Sequence, residues 1–199
     1  MRRIRRLQRS ELPLDTKTLA RYLIGKTLVH DLPRGRLSGR IVETEAYMIG
    51  DAASHAFRAK TARNRSMFLE RGHAYVYFIY GTWFAINVAS ETEGVGAAVL
   101  LRALEPLEGI PLMQRRRPHA ERYALMRGPG CLTTAMRINR RCDGIDLCGP
   151  GPLWLGSSAK RTGRIGKSVR IGITKEAQRL LRFYEIGNPC VSGPKRLRI

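Results

Sequence analysis

Hydrophobic residues recur along the chain at two different spacings, and the first of them is helical. Between Asp15 and Gly25, the apolar residues Leu19, Leu23 and Ile24 return every one to four positions, as on one face of a helix. Asp15 is a suitable N-cap and Gly25 a typical helix stop. The pattern predicts one short amphipathic helix between these two residues.

The second spacing is that of β-strands. Several runs rich in β-branched and aromatic residues follow the helix, and short turns separate most of them. Short connections between successive strands favour antiparallel neighbours. The predicted strands are residues 26–31, 37–47, 73–80, 84–89 and 96–104.

Regular patterns are fewer in the remaining segments. Residues 48–71 are rich in Ala, Arg, Gly and Ser, and they predict mainly a loop with one turn of helix near residues 52–57. A Gly-Pro-Gly turn precedes a predicted short helix over 132–138, and residues 151–155 and 182–185 are candidates for further strands.

No internal repeat and no long linker divides the chain, whose 199 residues suit one domain. We therefore predict a single α+β domain over residues 13–199, with a curved antiparallel sheet, short helices and long basic loops. Residues 1–12 contain five arginines and no long apolar run. We expect them to form a disordered basic arm that reaches along phosphate groups.

The net charge of +20 favours a polyanionic partner, because uncompensated cations in a folded chain repel one another. Only seven of the 36 cationic residues are lysines, and the guanidinium group of arginine suits phosphate particularly well. A basic surface that serves solubility is the main alternative, and a membrane surface is a weaker one. No apolar run reaches the roughly 18 residues that a membrane span needs.

Cysteine and histidine usage gives no sign of a metal or cofactor. The four cysteines show no CxxC spacing, and only four histidines are scattered along the chain. We therefore predict reduced thiols and neither metal nor cofactor.

Two acidic residues stand out on one predicted strand. Glu43, Glu45 and Tyr47 share a face, because side chains alternate along a strand, yet the chain has only 16 acidic residues. Surface carboxylates usually form solvated ion pairs, so an exposed paired strand face is the simpler interpretation. Alternation alone does not distinguish Glu43 from Glu45.

A nearby aromatic strand makes chemistry on a nucleobase a second interpretation. Tyr75 and Tyr77 share one face of it, and Phe78 and Tyr80 share the other. Buried tyrosines are most often core residues. However, aromatic faces, a carboxylate and a basic surface together are what an enzyme needs to hold and process a base taken out of the duplex.

Several motifs resemble the alkyladenine (3-methyladenine) DNA glycosylase family. They occur in order from about Pro13 to Ser192, which covers nearly the whole chain. The motifs are ETEAY, RNRSMF, YVYFIYG, LLRALEP, RGPGCLTTAMRIN, WLGSS and RFYEIGNPCVS.

The resemblance implies a role for single residues of the base site. Glu45, rather than Glu43, would be the catalytic carboxylate that activates the attacking water. Tyr47, His55 and Tyr77 would wall the base pocket, and Asn87 would crowd the 2-amino group of guanine.

Other residues would contact the DNA. The resemblance makes Tyr80 the side chain that intercalates where the base has left, and Arg102 a contact to the DNA backbone beside the flipped nucleotide. Arg63, Arg65 and Lys60 are further candidates for backbone contacts, although they also suit a solvated basic loop.

The expected function is therefore a monofunctional DNA-repair glycosylase that flips an alkylated, or also a deaminated, purine out of duplex DNA and hydrolyses its N-glycosidic bond. Its expected partner is damaged double-stranded DNA, with no membrane and no obligate protein partner. It would work in the cytoplasm at a bacterial nucleoid, or in a nucleus. A non-catalytic nucleic-acid-binding module would instead tolerate Glu45→Gln, and a metal-dependent nuclease would lose its activity in excess chelator.

Overall fold

An antiparallel sheet of eight strands organises the computed structural model, which describes residues 4–79, 81–158 and 160–197. The strands are β1 (Thr27–Leu32), β2 (Gly35–Tyr47), β3 (Ala74–Ile79), β4 (Trp83–Ala89), β5 (Ala98–Glu108), β6 (Leu153–Gly156), β7 (Ile165–Ser168) and β8 (Arg182–Glu185). The helices in the described ranges are α1 (Thr16–Leu23), α2 (Ile110–Arg116) and α3 (Pro129–Met136), together with short 3-10 turns. None of these helices is long and apolar enough to cross a bilayer.

The long strand β2 is the centre of the sheet. The strands follow the order β3-β4-β5-β2-β1-β6, and β8 pairs with the second half of β2 and with β7. The register between β2 and β5 shifts on both sides of Glu43. Such irregularities bend a strand and increase its twist. The sheet is accordingly curled, which confirms the predicted α+β fold with a curved antiparallel sheet.

Helix α1 covers the sheet and confirms the helical pattern near the N-terminus. The Asp15 carboxylate accepts a hydrogen bond of 2.7 Å from the backbone N–H of Thr18, which caps the first turn. Leu19 and Leu23 are fully buried in the main hydrophobic core. Their spacing therefore marked the buried face of the helix correctly.

The five predicted strands of the first half are all present, and the main difference in length lies in β5. This strand continues to Glu108, beyond the predicted end at residue 104, although Pro106 lies within it. Proline has no N–H to donate and usually ends a strand. Here Pro106 pairs with Gly39 next to a register shift, where the regular ladder is already interrupted.

The predicted turn of helix near residues 52–57 is wrong, because these residues form turns and bends. The Asp51 carboxylate accepts a hydrogen bond from the N–H of Ala53 and so stabilises a turn instead of a helix. A short 3-10 turn lies later in the same loop, at Arg65–Phe68. The sequence patterns also missed α2 and β7.

The expected disorder of the basic arm is wrong for residues 4–12. Leu7 and Leu12 are buried in the core, and the N–H of Leu7 donates to the carbonyl of Leu155 in β6. Arg9 binds the carboxylate of Asp146 at 2.6 Å. The two leucines anchor this segment despite its charge. The division of the chain at residue 12 stays a prediction.

Candidate active site

A cavity of about 570 Å³ opens at the end of β2. Strands β3 and β4 form one side of it, and the N-terminus of α3 and residues 171–173 form the other. Four residues predicted to wall a base pocket line this cavity: Tyr47, His55, Tyr77 and Asn87. The fold thus brings together side chains from three strands and one long loop.

Aromatic rings make up one wall of the cavity. Tyr75 and Tyr77 are stacked with ring centroids 5.1 Å apart, and His55 meets Tyr77 edge-on at 4.5 Å. The Nδ1 atom of His55 lies 2.9 Å from the Tyr75 hydroxyl. Although His55 remains more than a third exposed, its partial burial, with a smaller effect of Arg63, lowers the pKa of the imidazole. The wall is therefore aromatic, and the lowered pKa of His55 favours its neutral imidazole.

Glu45 lies beside the cavity residue Tyr47 and is fully buried. Its Oε1 accepts a hydrogen bond of 2.8 Å from the N–H of Ile171 and lies 3.3 Å from Nη1 of Arg102. Its Oε2 accepts a hydrogen bond of 3.0 Å from the Tyr47 hydroxyl. All three partners line the cavity, so the carboxylate is one side chain away from it.

Glu43 shares the strand face with Glu45 but has a different environment. Its Oε1 accepts from Nε of Arg102 at 3.0 Å and from Nε of Arg182 at 2.6 Å. Ser192 donates to it twice, through its hydroxyl at 2.8 Å and its backbone N–H at 2.7 Å. Because a carboxylate has about four acceptor positions, these bonds use the capacity of Glu43.

Glu43, Glu45, Arg102 and Arg182 form a buried cluster of two acidic and two basic side chains. Burial raises the pKa of the Glu45 carboxyl, although Arg102 and the N–H of Ile171 act in the opposite direction. Burial also opposes the charged form of Arg102, but the carboxylates of Glu45 and Glu43 outweigh it and raise its pKa. Glu45 is thus a stronger proton acceptor than an exposed glutamate.

A second buried ion pair supports Tyr47 from behind. The guanidinium of Arg170 lies 4.6 Å from the centroid of the Tyr47 ring and donates to the carbonyl of Ala46 at 3.0 Å. It also forms two hydrogen bonds to the fully buried carboxylate of Asp51. The sequence analysis missed this pair, and no local pattern signals it, because the two residues are 119 positions apart.

Asn87 is buried at the back of the cavity, on β4. Its side-chain Nδ2 donates a hydrogen bond of 3.1 Å to the carbonyl of Tyr75 on the neighbouring strand. This bond fixes the amide group against β3. Asn87 therefore lines the cavity and is also hydrogen-bonded to the backbone of β3.

The N-terminus of α3 closes the cavity opposite the tyrosines. Gly130 faces the Trp83 indole there, and a Cβ atom at this position would lie 3.1 Å from the Trp83 side chain. The glycine therefore allows β4 and α3 to approach closely. Sequence analysis did not assign Trp83, Gly130 or Ile171 to the pocket.

The other predicted site residues are distributed differently. Arg63 lines the mouth of the cavity, whereas Arg65 and Lys60 are exposed and do not line it. Arg102 is 7% exposed and directs its guanidinium at the two glutamates. Tyr80 lies outside the described residues. Within the described ranges, no three His, Cys, Asp or Glu side chains group as a metal site would require.

Comparison with known proteins places this geometry in a family. The family model for methylpurine-DNA glycosylase matches residues 10–189. A relative from Mesorhizobium japonicum is 60% identical over 192 residues, which are 96% of this chain and 92% of the relative. A relative from Paraburkholderia phytofirmans is 52% identical over 97% of this chain and 91% of its own length.

An archaeal relative, from Methanocella arvoryzae, is 47% identical over 89% of this chain and 90% of its own length. All three relatives carry the name "Putative 3-methyladenine DNA glycosylase". The family match covers both the strand that carries Glu45 and the cavity residues around it. The chain therefore belongs to the methylpurine-DNA glycosylase family.

Proposed function

We propose that this DNA glycosylase repairs duplex DNA by taking a damaged purine into the cavity and hydrolysing its N-glycosidic bond, which leaves an abasic site. The observation that carries this proposal is the position of Glu45, fully buried directly behind a cavity with aromatic walls. A base in that cavity would lie one side chain away from a carboxylate that can accept a proton from water. The matched family supports the same chemistry.

The aromatic wall offsets the cost of taking a base out of the duplex. Unstacking and unpairing a base costs a few kcal/mol, and stacking on an aromatic side chain returns about 1–3 kcal/mol per base. Tyr47 and Tyr77 expose ring surface to the cavity, with His55 at its mouth. A methylated, positively charged purine gains additionally from cation–π attraction to these rings.

Glu45 acts on the water and on the sugar. Hydrolysis of an N-glycosidic bond passes through an oxocarbenium-like state, which a nearby carboxylate stabilises. The described contacts of Oε2 comprise only the Tyr47 hydroxyl, so this oxygen retains capacity to accept a proton from water. Water attacks the sugar carbon as the bond to the base breaks, the proton passes to Glu45, and the base leaves with the bonding electrons.

Arg102 holds Glu45 in place in this proposal, in preference to the contact with the DNA backbone that the family resemblance implied. Its guanidinium bridges Glu43 at 3.0 Å and Glu45 at 3.3 Å. Burial raises the pKa of the Glu45 carboxyl, and the guanidinium between the two carboxylates acts in the opposite direction by favouring the ionised form. The contacts of Glu43 leave it a structural role as the second anchor of Arg102.

Contacts to the DNA outside the base pocket remain proposals. Arg63 at the cavity mouth, and Arg65 and Lys60 on the same exposed loop, are suited to bind phosphates. Tyr80 is the next residue in the sequence after Ile79, the last residue of β3, and in this proposal it would fill the gap that the flipped base leaves.

Asn87 would restrict the pocket to purines without a guanine-type 2-amino group, because its amide is fixed against β3. Lesions that are already cationic need no proton to leave, whereas deaminated purines such as hypoxanthine need one. We therefore expect faster excision of alkylated purines. Since no lysine is among the described residues that line the cavity, we also propose a monofunctional glycosylase without lyase activity.

A panel of lesion-containing duplexes tests the proposal. Purified protein is incubated, in excess chelator, with duplexes that each contain 3-methyladenine, hypoxanthine or an undamaged base. We expect release of the free base from the alkylated duplex, and strand breaks only after alkali treatment. Absence of base release from every damaged duplex would refute the proposal, and strand breaks without alkali would refute its monofunctional part.

A further inference from the structure

A second cavity, of about 450 Å³, contains four arginines and lies apart from the base pocket. We call it the arginine pocket, and it is formed by the turn between β1 and β2, by α2 and by the end of α3. The residues that line it are Pro33, Arg34, Leu112, Arg115, Arg116 and Arg137. The N-terminus of α3 borders the base pocket and its C-terminus borders the arginine pocket, so the length of the helix, about 12 Å, separates them.

The arginine pocket carries positive charge that no acidic side chain of the described residues pairs with. No acidic residue is among the described residues that line it, and none of its four arginines forms an ion pair within the described ranges. Burial and the neighbouring guanidiniums of Arg137, Arg115 and Arg34 lower the pKa of Arg116. Four cations around one concave site repel one another and favour any anion that enters it.

One of the arginines, Arg116, is held in place by backbone carbonyls. Arg116 donates from Nη1 to the carbonyls of Leu112 at 3.3 Å and Ala135 at 3.0 Å, which ties α2 to α3. Arg137 ends α3 in the left-handed conformation, with φ of 55°. Glycine is the usual residue in that conformation, because a Cβ atom makes it unfavourable. An arginine there places a cation at the rim of the pocket at a conformational cost.

We propose that the arginine pocket binds phosphate groups. Guanidinium groups bind phosphate oxygens through paired hydrogen bonds and are desolvated more readily than ammonium groups. The source of the phosphate is either the backbone of the DNA beyond the flipped nucleotide or a free polyphosphate anion. Neither source depends on the chemistry proposed at Glu45.

Removing two of the cations tests this site. In one variant Arg115 and Arg137 both become Ala, which leaves the contacts between Arg116 and the carbonyls in place. A matched control replaces the exposed Arg21 and Arg161 with Ala, which lowers the net charge by the same amount outside both cavities. A second pocket variant, Arg34→Ala with Arg115→Ala, leaves the end of α3 unchanged in case the first does not fold.

Two measurements distinguish the sources. If the DNA backbone is the ligand, the salt dependence of binding to an undamaged duplex should become shallower in the pocket variants alone, by about 0.9 for each phosphate that they no longer bind. Inorganic pyrophosphate should raise the melting temperature of the wild type and the control, but not of the pocket variants, if the pocket takes a free anion.

Either result specific to the pocket variants supports the site. Pocket variants that match the control in both the salt dependence and the pyrophosphate response would overturn it. The result is independent of excision activity, because neither measurement requires a damaged base. A failure of the proposed glycosylase chemistry would therefore leave this test unaffected.

Discussion

Replacing Glu43 with glutamine should destabilise the protein far more than the same replacement at Glu45. Both carboxylates are fully buried on the same strand, and each contacts Arg102. They differ in whether the amide of glutamine can keep the hydrogen bonds that the carboxylate accepts. The comparison therefore separates a structural carboxylate from a catalytic one in a single pair of variants.

At position 43 either orientation of the glutamine amide places its NH₂ against a group that can only donate, although the Ser192 hydroxyl can also accept. The NH₂ would face either the N–H of Ser192 or the guanidiniums of Arg102 and Arg182. Breaking a buried ion pair by removing one partner costs about 3–5 kcal/mol. For a protein of this size, 1 kcal/mol lowers the melting temperature by roughly 2–4 °C, so the expected decrease is about 6–20 °C.

At position 45 glutamine can keep every contact. Its carbonyl accepts from the N–H of Ile171 and from Arg102, and its NH₂ donates to the Tyr47 hydroxyl, which can act as an acceptor. Burial already favours the neutral form of this group, as the raised pKa of Glu45 indicates. We expect the melting temperature of Glu45→Gln to change by less than about 4 °C, in line with a loss below about 1 kcal/mol.

Thermal unfolding followed by circular dichroism measures both variants beside the wild type. Glu43→Gln should show the large decrease and Glu45→Gln the small change. A Glu43→Gln variant as stable as the wild type would show that the four contacts of Glu43 do not stabilise the fold. A large decrease for Glu45→Gln would contradict the assigned division of roles.

Three further predictions concern the reaction and the DNA. The single-turnover rate of excision should rise with pH through the pKa of Glu45, which lies above the ordinary value of 4.5, because Glu45 must be ionised to accept a proton from water. A rate that is already constant below pH 4.5 would contradict this. The logarithm of the affinity for duplex DNA should fall steeply with the logarithm of salt concentration, by about 0.9 per phosphate contact, and a flat dependence would argue against the electrostatic interpretation of the charge. Tyr80→Ala should lower the flipped fraction of a fluorescent base, measured by stopped-flow, more than it lowers the rate of bond cleavage. An unchanged flipping equilibrium would refute the proposed intercalation of Tyr80.

Regular spacing in the sequence predicted those parts of the fold that depend on local pattern. Alternation along residues 37–47 correctly put Glu43 and Glu45 on one face, where both reach Arg102. The predicted strand ended at residue 104, whereas β5 continues through Pro106, where the register shift beside the proline is a property of the two paired strands. Local pattern carries no information about such pairing.

The candidate site was predictable only where a motif named its residues. The pocket residues Tyr47, His55, Tyr77 and Asn87 came from the family resemblance, and the structure brings them to one cavity. The distinction between the two glutamates by their partners needed Arg182 and Ser192, about 140–150 residues away along the chain. Contacts at such separations depend on the assembled fold, as does the buried pair of Asp51 with Arg170.

The most direct test of the account is the single-turnover excision rate of Glu45→Gln on a duplex that contains an alkylated purine. General base catalysis contributes about 10²–10⁴-fold, so the rate should fall by that factor while affinity for the damaged duplex is retained. Glu93→Gln, an exposed carboxylate outside the cavity, serves as the matched control and should excise at the rate of the wild type. Excision by Glu45→Gln at the rate of this control would contradict the assignment of Glu45 as the residue that activates water.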